Sequence, residues 1–578
     1  MRKTLLSALA VGILLGASNI CPAKAQESAS SGVQTVLTVS LSGFDALKND
    51  LKSISPAANA PQLMLPLMML GPQGPAGLDT TKPAGAVVQT DGQDFVIFAF
   101  LPVTDLTQAL GLLNPMNPEA EPPKPDADGV YEIETMGQQL VIVQKGGWAF
   151  LANSREALAS VPEDPVPLLG GLNESYAVAV RATVKNVPEG MRQSVLVPLQ
   201  LGLAMGQQQQ PDEAPEQYAL RQKMVARSMG EFTKLLNETD SLMIGLAVDS
   251  ESKALRLDVE ITAVEGTASA EEFALAADAK SDVAGFFLPE AAATVLVAST
   301  IPDSDAAQLE DMIDTYGSRA LDDLDEQDLS DSDRQMAKQV LGDLIDVIRK
   351  TVEARRIDAG FALLASEDSL NLVGGGFVAD TAKLETLFKQ MVNLAIQEDP
   401  GVAGAITLDA GEHEGVRLHV LSVPAEALPG DDVPAMLVGE ALTGAVGFGA
   451  QNAYFALGPQ SIEKLKLAID QSKAAAGQPV PPLRLSISAT GIGRLLAGLD
   501  AAEESDLPPE VIDSLTQAGQ NDHVSIGYEV IPNGIRGRFE IEEGVLKVIG
   551  AAAGAAIEQM GAGGGGFPGP LGGAPGQP

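Results

Sequence analysis

The chain of 578 residues is poor in the residue types on which many binding and catalytic sites depend. It has one cysteine, one tryptophan and three histidines, and aromatic residues make up only 4% of it. A single cysteine excludes an intrachain disulfide and metal sites built from several thiolates. The scarcity of tryptophan and tyrosine argues against a lectin or a glycosidase. No phosphate-binding loop, dinucleotide fingerprint, nucleophile elbow or His-Glu-x-x-His motif is present in the sequence.

Basic residues are also scarce. Lysine and arginine total 37 against 77 acids, which gives a formal net charge of −40. A chain with this charge repels nucleic acid, so we expect no nucleic-acid partner. Because the acids are spread along the chain, they are typical of a well-solvated surface, and attraction of cations or basic partners is the alternative.

The first 25 residues have the pattern of an export signal. Arg2 and Lys3 precede the apolar stretch LLSALAVGILLGA, and the small residues of AKA end at Ala25. We predict cleavage after Ala25 and a periplasmic or secreted protein, whose mature chain is free of cysteine. A lipoprotein anchor at Cys21 is the alternative, and Ile20 disfavours it. No later apolar run reaches the length of a membrane span, so we expect no transmembrane segment in the mature chain.

Two distant stretches share one pattern. GGWAFLANSREAL (146–158) and NAYFALGPQSIEKL (452–465) both read as an apolar strand, a polar break and the start of a helix. Four strand-like stretches also open a similar order of elements, namely TVLTVSL (35–41), YAVAVRATV (176–184), TVLVAST (294–300) and LRLSISAT (483–490). A helical region follows each, the clearest at 220–237 and 333–354.

Each helical region leads to a strand marked by glycine, then to a turn and a return strand. The four glycines are Gly85, Gly245, Gly360 and Gly527. Glycine in a strand favours close approach of a neighbouring side chain or backbone, and contact with a ligand is the alternative. We therefore predict an α+β fold made of strand–helix–strand–strand modules in two tandem halves, 33–270 and 290–555. The sheets are expected to be mainly antiparallel, with helices on one face.

Several segments fall outside this pattern. Residues 115–128 and 206–216 read as loops, and the glycine- and proline-rich tail 561–578 is predicted to be disordered. The segment 61–70 contains Met64, Met68 and Met69. It is interpreted as a packed cover over the sheet, with a soft binding surface as the alternative.

The three histidines do not form a recognisable site in the sequence. His413 lies in a predicted turn and His419 in the strand after it, so a metal site would require both to converge with Glu412 or Glu414. His523 follows Asp522, but no nucleophile accompanies this pair. Ordinary structural roles are therefore favoured for all three, and we predict no metal, no cofactor and no catalytic residue.

Two other sequence patterns are candidates for a catalytic site and a calcium site. Ser461-Ile-Glu-Lys464 matches the Ser-x-x-Lys pattern of penicillin-recognising enzymes, but the accompanying motifs are absent. We predict that Ser461, like Ser154 in the first half, caps a helix. The acidic run 321–333 is the best calcium candidate, although it lacks the glycine and glutamate spacing of an EF-hand loop. Weak calcium binding is the alternative to a solvated loop.

The stretches FDALKNDLKSI, LDTTKPAGAVVQTDG and FAFLPVTD, strongest within 33–160, resemble a group of uncharacterised exported bacterial proteins known only as domains of unknown function. The resemblance is one of layout. It implies export and duplicated α+β modules, and it provides no active site.

Three functions remain open at this point. The leading hypothesis is a non-enzymatic protein that binds or scaffolds an envelope component, because no polar constellation is shared by the two halves. The second is a carrier of a lipid or other apolar ligand, because a curved sheet with helices can enclose such a cavity. The third is a hydrolase that uses carboxylates.

Overall fold

The computed structural model describes residues 32–58, 74–111, 123–135, 138–194, 197, 215–327, 330–366, 368–427, 438–498 and 507–562. The predicted signal peptide 1–25 with Cys21, the segment 61–70 and residues 563–578 of the tail lie outside the described residues. So do 115–122 and 206–214 of the two predicted loops. The predictions made for these segments therefore stay predictions.

The described part of the chain contains nineteen strands. They are β1 (Gln34–Leu41), β2 (Ala84–Thr90), β3 (Phe95–Pro102), β4 (Val130–Thr135), β5 (Gln138–Lys145), β6 (Trp148–Ala152), β7 (Val178–Ala182), β8 (Thr239–Asp249), β9 (Ala254–Ala263), β10 (Ala293–Thr300), β11 (Arg356–Ala365), β12 (Leu370–Phe377), β13 (Ile406–His413), β14 (Val416–Pro424), β15 (Ala441–Phe448), β16 (Asn452–Leu457), β17 (Leu483–Ser488), β18 (His523–Ile531) and β19 (Gly534–Ile541).

Besides a helical stretch at 189–194, thirteen helices accompany them in the same described residues. They are α1 (Phe44–Ile54), α2 (Leu106–Gly111), α3 (Arg155–Leu158), α4 (Leu172–Ser175), α5 (Pro215–Glu238), α6 (Ala268–Leu275), α7 (Asp303–Asp323), α8 (Asp331–Glu353), α9 (Thr381–Glu398), α10 (Ser461–Ala474), α11 (Ala489–Gly498), α12 (Pro509–Thr516) and α13 (Glu543–Ala562). Short 3-10 turns also occur, among them Val166–Leu169 and Ala284–Phe286.

All nineteen strands belong to one sheet in which each pair of neighbours is antiparallel. The order across the sheet is β4-β5-β6-β3-β2-β1-β7-β8-β9-β19-β18-β17-β10-β11-β12-β16-β15-β14-β13. The strands β9 and β19 join the parts that come from the beginning and the end of the chain. The predicted α+β class with mainly antiparallel strands is confirmed.

The prediction that helices cover one face is wrong. In β3 and β6, Phe98, Phe100 and Phe150 point to a core closed by α3 and the turn Val166–Leu169. Their sequence neighbours Ala99 and Leu151 point the opposite way, into a second core closed by α2. Side chains of a strand alternate between faces, so a run that is apolar at every position needs a cover on both sides.

The second part of the sheet is also covered on both faces near β15. On one side, α10 and the turn Ala284–Phe286 pack on a core that contains Phe286, Tyr454 and Leu465. On the other side, Phe388 of α9 lies 5.8 Å from the ring of Phe448. The middle of the sheet, from β7 to β17, lies between these covered ends.

The glycines of the predicted column lie under neighbouring side chains. A Cβ atom on Gly245 would lie 2.5 Å from the Tyr176 ring, and one on Gly360 would lie 2.7 Å from Phe286 Cβ. Close approach of a side chain therefore accounts for both positions. Gly527 differs, because the nearest atom to its Cβ would be 3.8 Å away.

Candidate functional site

One face of the middle of the sheet is built from apolar side chains. The cross-strand pairs Val180–Ile244, Ile244–Val259 and Val259–Gly537 place these residues on the same side of β7, β8, β9 and β19. The same side continues through Tyr528, Ile526, Leu485, Val295, Phe361, Gly374 and Phe455 of β18, β17, β10, β11, β12 and β16. We call this surface the aliphatic face. None of the strand residues that the registers place on it is charged.

The side chains of the aliphatic face are not buried. Ile244 is 55% exposed, Val259 is 47% exposed and Phe455 is 46% exposed. Further large apolar residues of this face that rank as exposed are Val178, Val180, Leu242, Leu246, Ile357, Ile487 and Tyr528. Contiguous exposed apolar surface of this extent is unusual in soluble proteins and marks a site of interaction.

The opposite face at the same strands is polar. Asp258 is almost fully buried there, and the guanidinium of Arg538 donates to its two carboxylate oxygens over 2.9 and 3.1 Å. The Tyr176 hydroxyl donates to Asp258 Oδ2 over 3.1 Å. Burial, together with the charges of Asp258 and Glu260, raises the pKa of Tyr176 to about 12. The sheet centre is thus amphipathic, with its ion pairs on one side only.

The aliphatic face deepens into a cavity of about 330 Å³, which we call the slot. Its walls come from β10, β11, β12 and β16, and they include Val295, Val297, Ala359, Phe361, Ala453 and Phe455. Gly375 and Gly376 also line it, and none of the described residues that line it has a charged side chain. The rings of Phe361 and Phe455 stack with centroids 6.2 Å apart. The volume is at the lower end of the range for small-molecule pockets, about 300–1,000 Å³.

Helices close one end of the aliphatic face. Ile54 of α1 and Leu546 of α13 pack against Val248 and Ile541, which lie on this face at the ends of their strands. Leu495 of α11 packs in the same way near Leu363. Between these contacts and the far strand ends, side chains of the aliphatic face are exposed in the part of the chain that the structure describes.

Ion pairs connect the helices near the far strand ends. Arg227 of α5 pairs with Asp305 of α7 at 2.8 Å, and Arg349 of α8 pairs with Asp314 of α7 at 2.7 Å. Lys383 of α9 lies 2.9 Å from both Asp343 and Asp346 of α8. The four helices α5, α7, α8 and α9 therefore form a connected row.

Helix α8 carries a stripe of apolar side chains that includes Leu344 and Ile348. Charged side chains contact α7 and α9 on its two flanks, while Leu344 and Ile348 of the stripe are 38% and 44% exposed. Because α9 packs on the aliphatic side of β14 and β15, and α8 adjoins α9, we place α8 on the same side of the sheet. Along the chain α7 follows β10 directly and α8 leads into β11, so both helices adjoin the ends of strands that carry the aliphatic face.

The three histidines do not converge. His413 Nε2 lies 2.8 Å from Asp470 Oδ1, and His523 Nδ1 lies 3.2 Å from both Asp522 and Glu542. His413 pairs with Val416 across β13 and β14, and Val416 is three residues before His419 in β14. Because side chains alternate along a strand, His419 points to the face opposite to that of His413. The arrangement of His413 and His419 with Glu412 or Glu414 is not formed.

His419 instead meets Glu385 and Asp409, the only group of potential metal ligands found among the described residues. His419 Nε2 is buried without a hydrogen-bond partner, 3.4 Å from Glu385 Oε1. Glu385 was not suspected from the sequence, because it belongs to α9 and lies 34 residues before His419.

These residues do not fit a metal ion. The backbone N–H of Asp409 donates to His419 Nδ1 over 3.0 Å, so the ring proton is on Nε2, the atom that would have to bind the ion. Lys389 Nζ lies 3.0 Å from Glu385 and 2.8 Å from Asp409, and Arg417 also pairs with Glu385. Burial tends to raise the pKa of Glu385, but the hydrogen bonds and charges of Arg417 and Lys389 outweigh it and keep the pKa low. The cluster is a structural ion-pair network.

Acidification is expected to weaken folding through His419. Burial and the nearby Lys389 lower the pKa of its imidazole below the ordinary 6.5. The unfolded chain therefore takes up a proton at a pH where the folded chain does not, and stability falls as the pH drops through about 6.5. We expect urea unfolding midpoints at pH 7.5 and 5.5 to differ less in His419→Phe than in the wild type. An unchanged difference between the two pH values would contradict this role.

The predicted helix caps have different outcomes. Ser154 accepts from Ala157 N over 3.3 Å and caps α3, as predicted. Ser461 does not cap its helix: it is the first residue of α10, and its hydroxyl is fully buried without a partner. Its burial also separates it from any substrate, which agrees with setting aside the Ser-x-x-Lys pattern.

The acidic run 321–333 does not gather around one point among its described residues. Asp325 pairs with Lys338 at 2.6 Å, and Asp331 pairs with Arg334 at 3.2 Å. Asp333 accepts from the hydroxyl of Ser330, which is the actual cap of α8. Calcium binding here stays a prediction without a formed ligand set.

Comparison with known proteins adds no relative. No family model, no curated protein and no solved structure matches the chain. Within the described residues, every helix is too short or too polar to cross a lipid bilayer. The layout resemblance to exported bacterial proteins therefore stays a prediction.

Proposed function

We propose that the protein binds an apolar ligand on the aliphatic face and acts as its carrier. The observation that carries the proposal is the continuous series of half-exposed apolar side chains from β7 to β16. Covering such surface is favourable by about 25 cal/mol per Å², so an apolar occupant gains affinity without any directional contact. With the export predicted from residues 1–25, the proposal includes that this activity is periplasmic or secreted.

The shape of the surface favours a lipid over a flat protein partner. The aliphatic face is bordered by α1, α11 and α13 at one end and by the row of α5, α7, α8 and α9 near the other. The slot adds a concave apolar recess in β10–β12 and β16. Strands rise by about 3.3 Å per residue, so seven strand residues span about 23 Å, which suits an extended hydrocarbon chain.

We also propose that the sheet arose by tandem duplication, which the two-half prediction requires. Three observations support it. The order β6-β3-β2-β1-β7-β8-β9 corresponds to β16-β12-β11-β10-β17-β18-β19 on the other side of the joint. Gly85 pairs with Phe100, and Gly360 pairs with Gly375 at the corresponding place. Phe100 in turn pairs with Phe150, and Gly375 pairs with Tyr454.

A charge on the aliphatic face is expected to abolish ligand binding. In Ile357→Glu and Ile487→Glu, a carboxylate replaces an exposed apolar side chain of β11 or β17 near the slot, and an apolar ligand would have to desolvate it. We expect the affinity for a fluorescent apolar probe such as N-phenyl-1-naphthylamine to fall at least tenfold in each variant. The readout is a fluorescence titration of the purified mature chain.

The matched control is Ser486→Glu, which places the same charge one residue away on the opposite face of β17. It is expected to bind the probe like the wild type. A wild-type chain that does not bind the probe, or equal losses in the control and the two test variants, would contradict the proposed function. Capture of an envelope protein without any lipid would instead favour the hypothesis that the chain binds or scaffolds an envelope component.

A further inference from the structure

We infer that the slot receives the hydrocarbon chain of an electrically neutral lipid. The inference rests on the proposed function and deepens it, because it names the part of the aliphatic face that holds the ligand and the charge of the ligand. It is carried by the lining of the slot, by its contrast with the equivalent place in the first half, and by the charges around it.

The slot opens where β12 lacks a side chain at Gly376, which lines it. Gly376 points to the aliphatic face where β3, in the corresponding register, has Leu101, whereas the space beside Gly374 is taken by the ring of Phe455, with which a Cβ atom there would collide. In the first half the place of Gly376 is filled, because Leu101 packs against the core that α2 closes. The second half thus leaves open a recess that the first half fills with its own hydrocarbon.

The lining of the slot offers no partner to a charged group. The nearest arginines on the lining strands and their neighbours point to the opposite face and are engaged there. Arg356 pairs with Asp282 and Asp358 at 2.7 and 2.6 Å. Arg484 lies over the ring of Phe287, 3.9 Å from its centroid. A ligand in the slot therefore contacts carbon and backbone only.

The helices beside the open end add negative charge. Together α7 and α8 contain twelve acidic and five basic side chains, and α7 alone contains seven acids and one base. An anionic headgroup near them would be repelled, whereas a hydroxyl or ester group would be solvated. A lipid with a neutral headgroup fits both the apolar lining of the slot and the negative charge of α7 and α8.

The test compares two ligands that share one hydrocarbon chain. Monooleoylglycerol and oleate are titrated, below their aggregation limits at pH 8, against the mature chain preloaded with the fluorescent probe. Neutral monooleoylglycerol is expected to displace the probe at a concentration at least tenfold lower than anionic oleate. Raising the salt concentration is expected to reduce the difference between the two displacing concentrations, because salt screens the repulsion between oleate and the acidic helices.

Blocking variants locate the site. Ala359→Trp and Ala453→Trp each add an indole to the slot wall and are expected to weaken monooleoylglycerol binding at least tenfold. Ala410→Trp in the edge strand β13, where the alanine is exposed, is the control and is expected to bind normally. Thermal unfolding of all three variants verifies that they are folded.

The outcomes separate this inference from the proposed function. If oleate binds as well as monooleoylglycerol, or better, the charge assignment is overturned while apolar binding stands. If folded Ala359→Trp and Ala453→Trp bind normally, the slot is not the site. If neither the probe nor the two lipids bind to the wild type, the proposed function fails, and this inference fails with it.

Discussion

Replacing Arg538 by methionine is expected to destabilise the chain by about 3–5 kcal/mol, because it leaves the buried carboxylate of Asp258 without its main partner. Asp258 is 1% exposed, and Arg538 donates to both of its oxygens from the neighbouring strand β19. The pair spans the joint where β9 meets β19. Urea unfolding followed by circular dichroism measures the loss.

Two further variants make the expectation specific. Asp258→Leu combined with Arg538→Met removes both charges and should recover part of the stability, because the buried carboxylate is gone, while Arg256, 3.5 Å from Asp258, loses its ion pair. Arg536→Met should cost less, since its partner Glu260 is more exposed and its partner Glu529 is mostly exposed. A loss below about 1 kcal/mol in Arg538→Met would show that the joint is not formed as described.

Acid is expected to weaken the stabilising effect of the Asp258 carboxylate where β9 meets β19. Burial tends to raise the pKa of Asp258, but Arg538, Arg256 and Tyr176 outweigh it and hold the pKa below the ordinary 3.8. The carboxylate therefore stabilises the folded chain above its unfolded pKa, and this contribution is lost as the pH falls through the folded value. The double variant lacks that contribution and should show a weaker acid dependence below about pH 4.

Phe286→Ala is expected to cost about 3–5 kcal/mol, the range for removing a fully buried aromatic side chain. Phe286 is 0% exposed, and its ring lies 5.9 Å from that of Tyr454 in stacked geometry. It also covers Gly360, where any larger residue would collide with it. The alanine variant would open a cavity in the centre of the larger core.

The neighbouring Phe287 provides the matched control. It is only partly buried and contacts the same core from its edge, so Phe287→Ala should cost clearly less. Denaturant midpoints of both variants decide the comparison. Equal losses for the two would mean that the core is not centred on Phe286.

Local elements could be predicted from the sequence where the pattern is strong. The strand expected at 294–300 is β10, Ala293–Thr300, and the helix expected at 333–354 is α8, Asp331–Glu353. Both have a clear apolar period, because one face of each element is apolar. The cap of α8 is Ser330, whose hydroxyl accepts from the backbone N–H of Asp333.

The aliphatic face could not be predicted, because it depends on register between distant strands. Alternation of apolar residues is visible in β8 and in β19, but the sequence does not reveal that β9 joins them. The surface becomes continuous only when Ile244, Val259 and Gly537 fall on one side. Alternation alone also does not reveal whether a helix covers that side.

The same limit applies to the cluster around His419. His413 and His419 were candidates for one metal site because they are six residues apart in the sequence, but strand alternation places them on opposite faces of the sheet. Glu385 reaches His419 through the packing of α9 on β14 and β15, which no local pattern indicates. Proximity in sequence and proximity in the fold are separate properties within a sheet.

The most direct test of the central claim is native mass spectrometry of the mature chain purified from its own cells without detergent, with organic extraction of the same sample. We predict a mass increment of one or more neutral lipids on the intact chain, which Ala359→Trp loses and Ala410→Trp retains. A chain that carries no lipid and also acquires none when incubated with monooleoylglycerol would contradict the account.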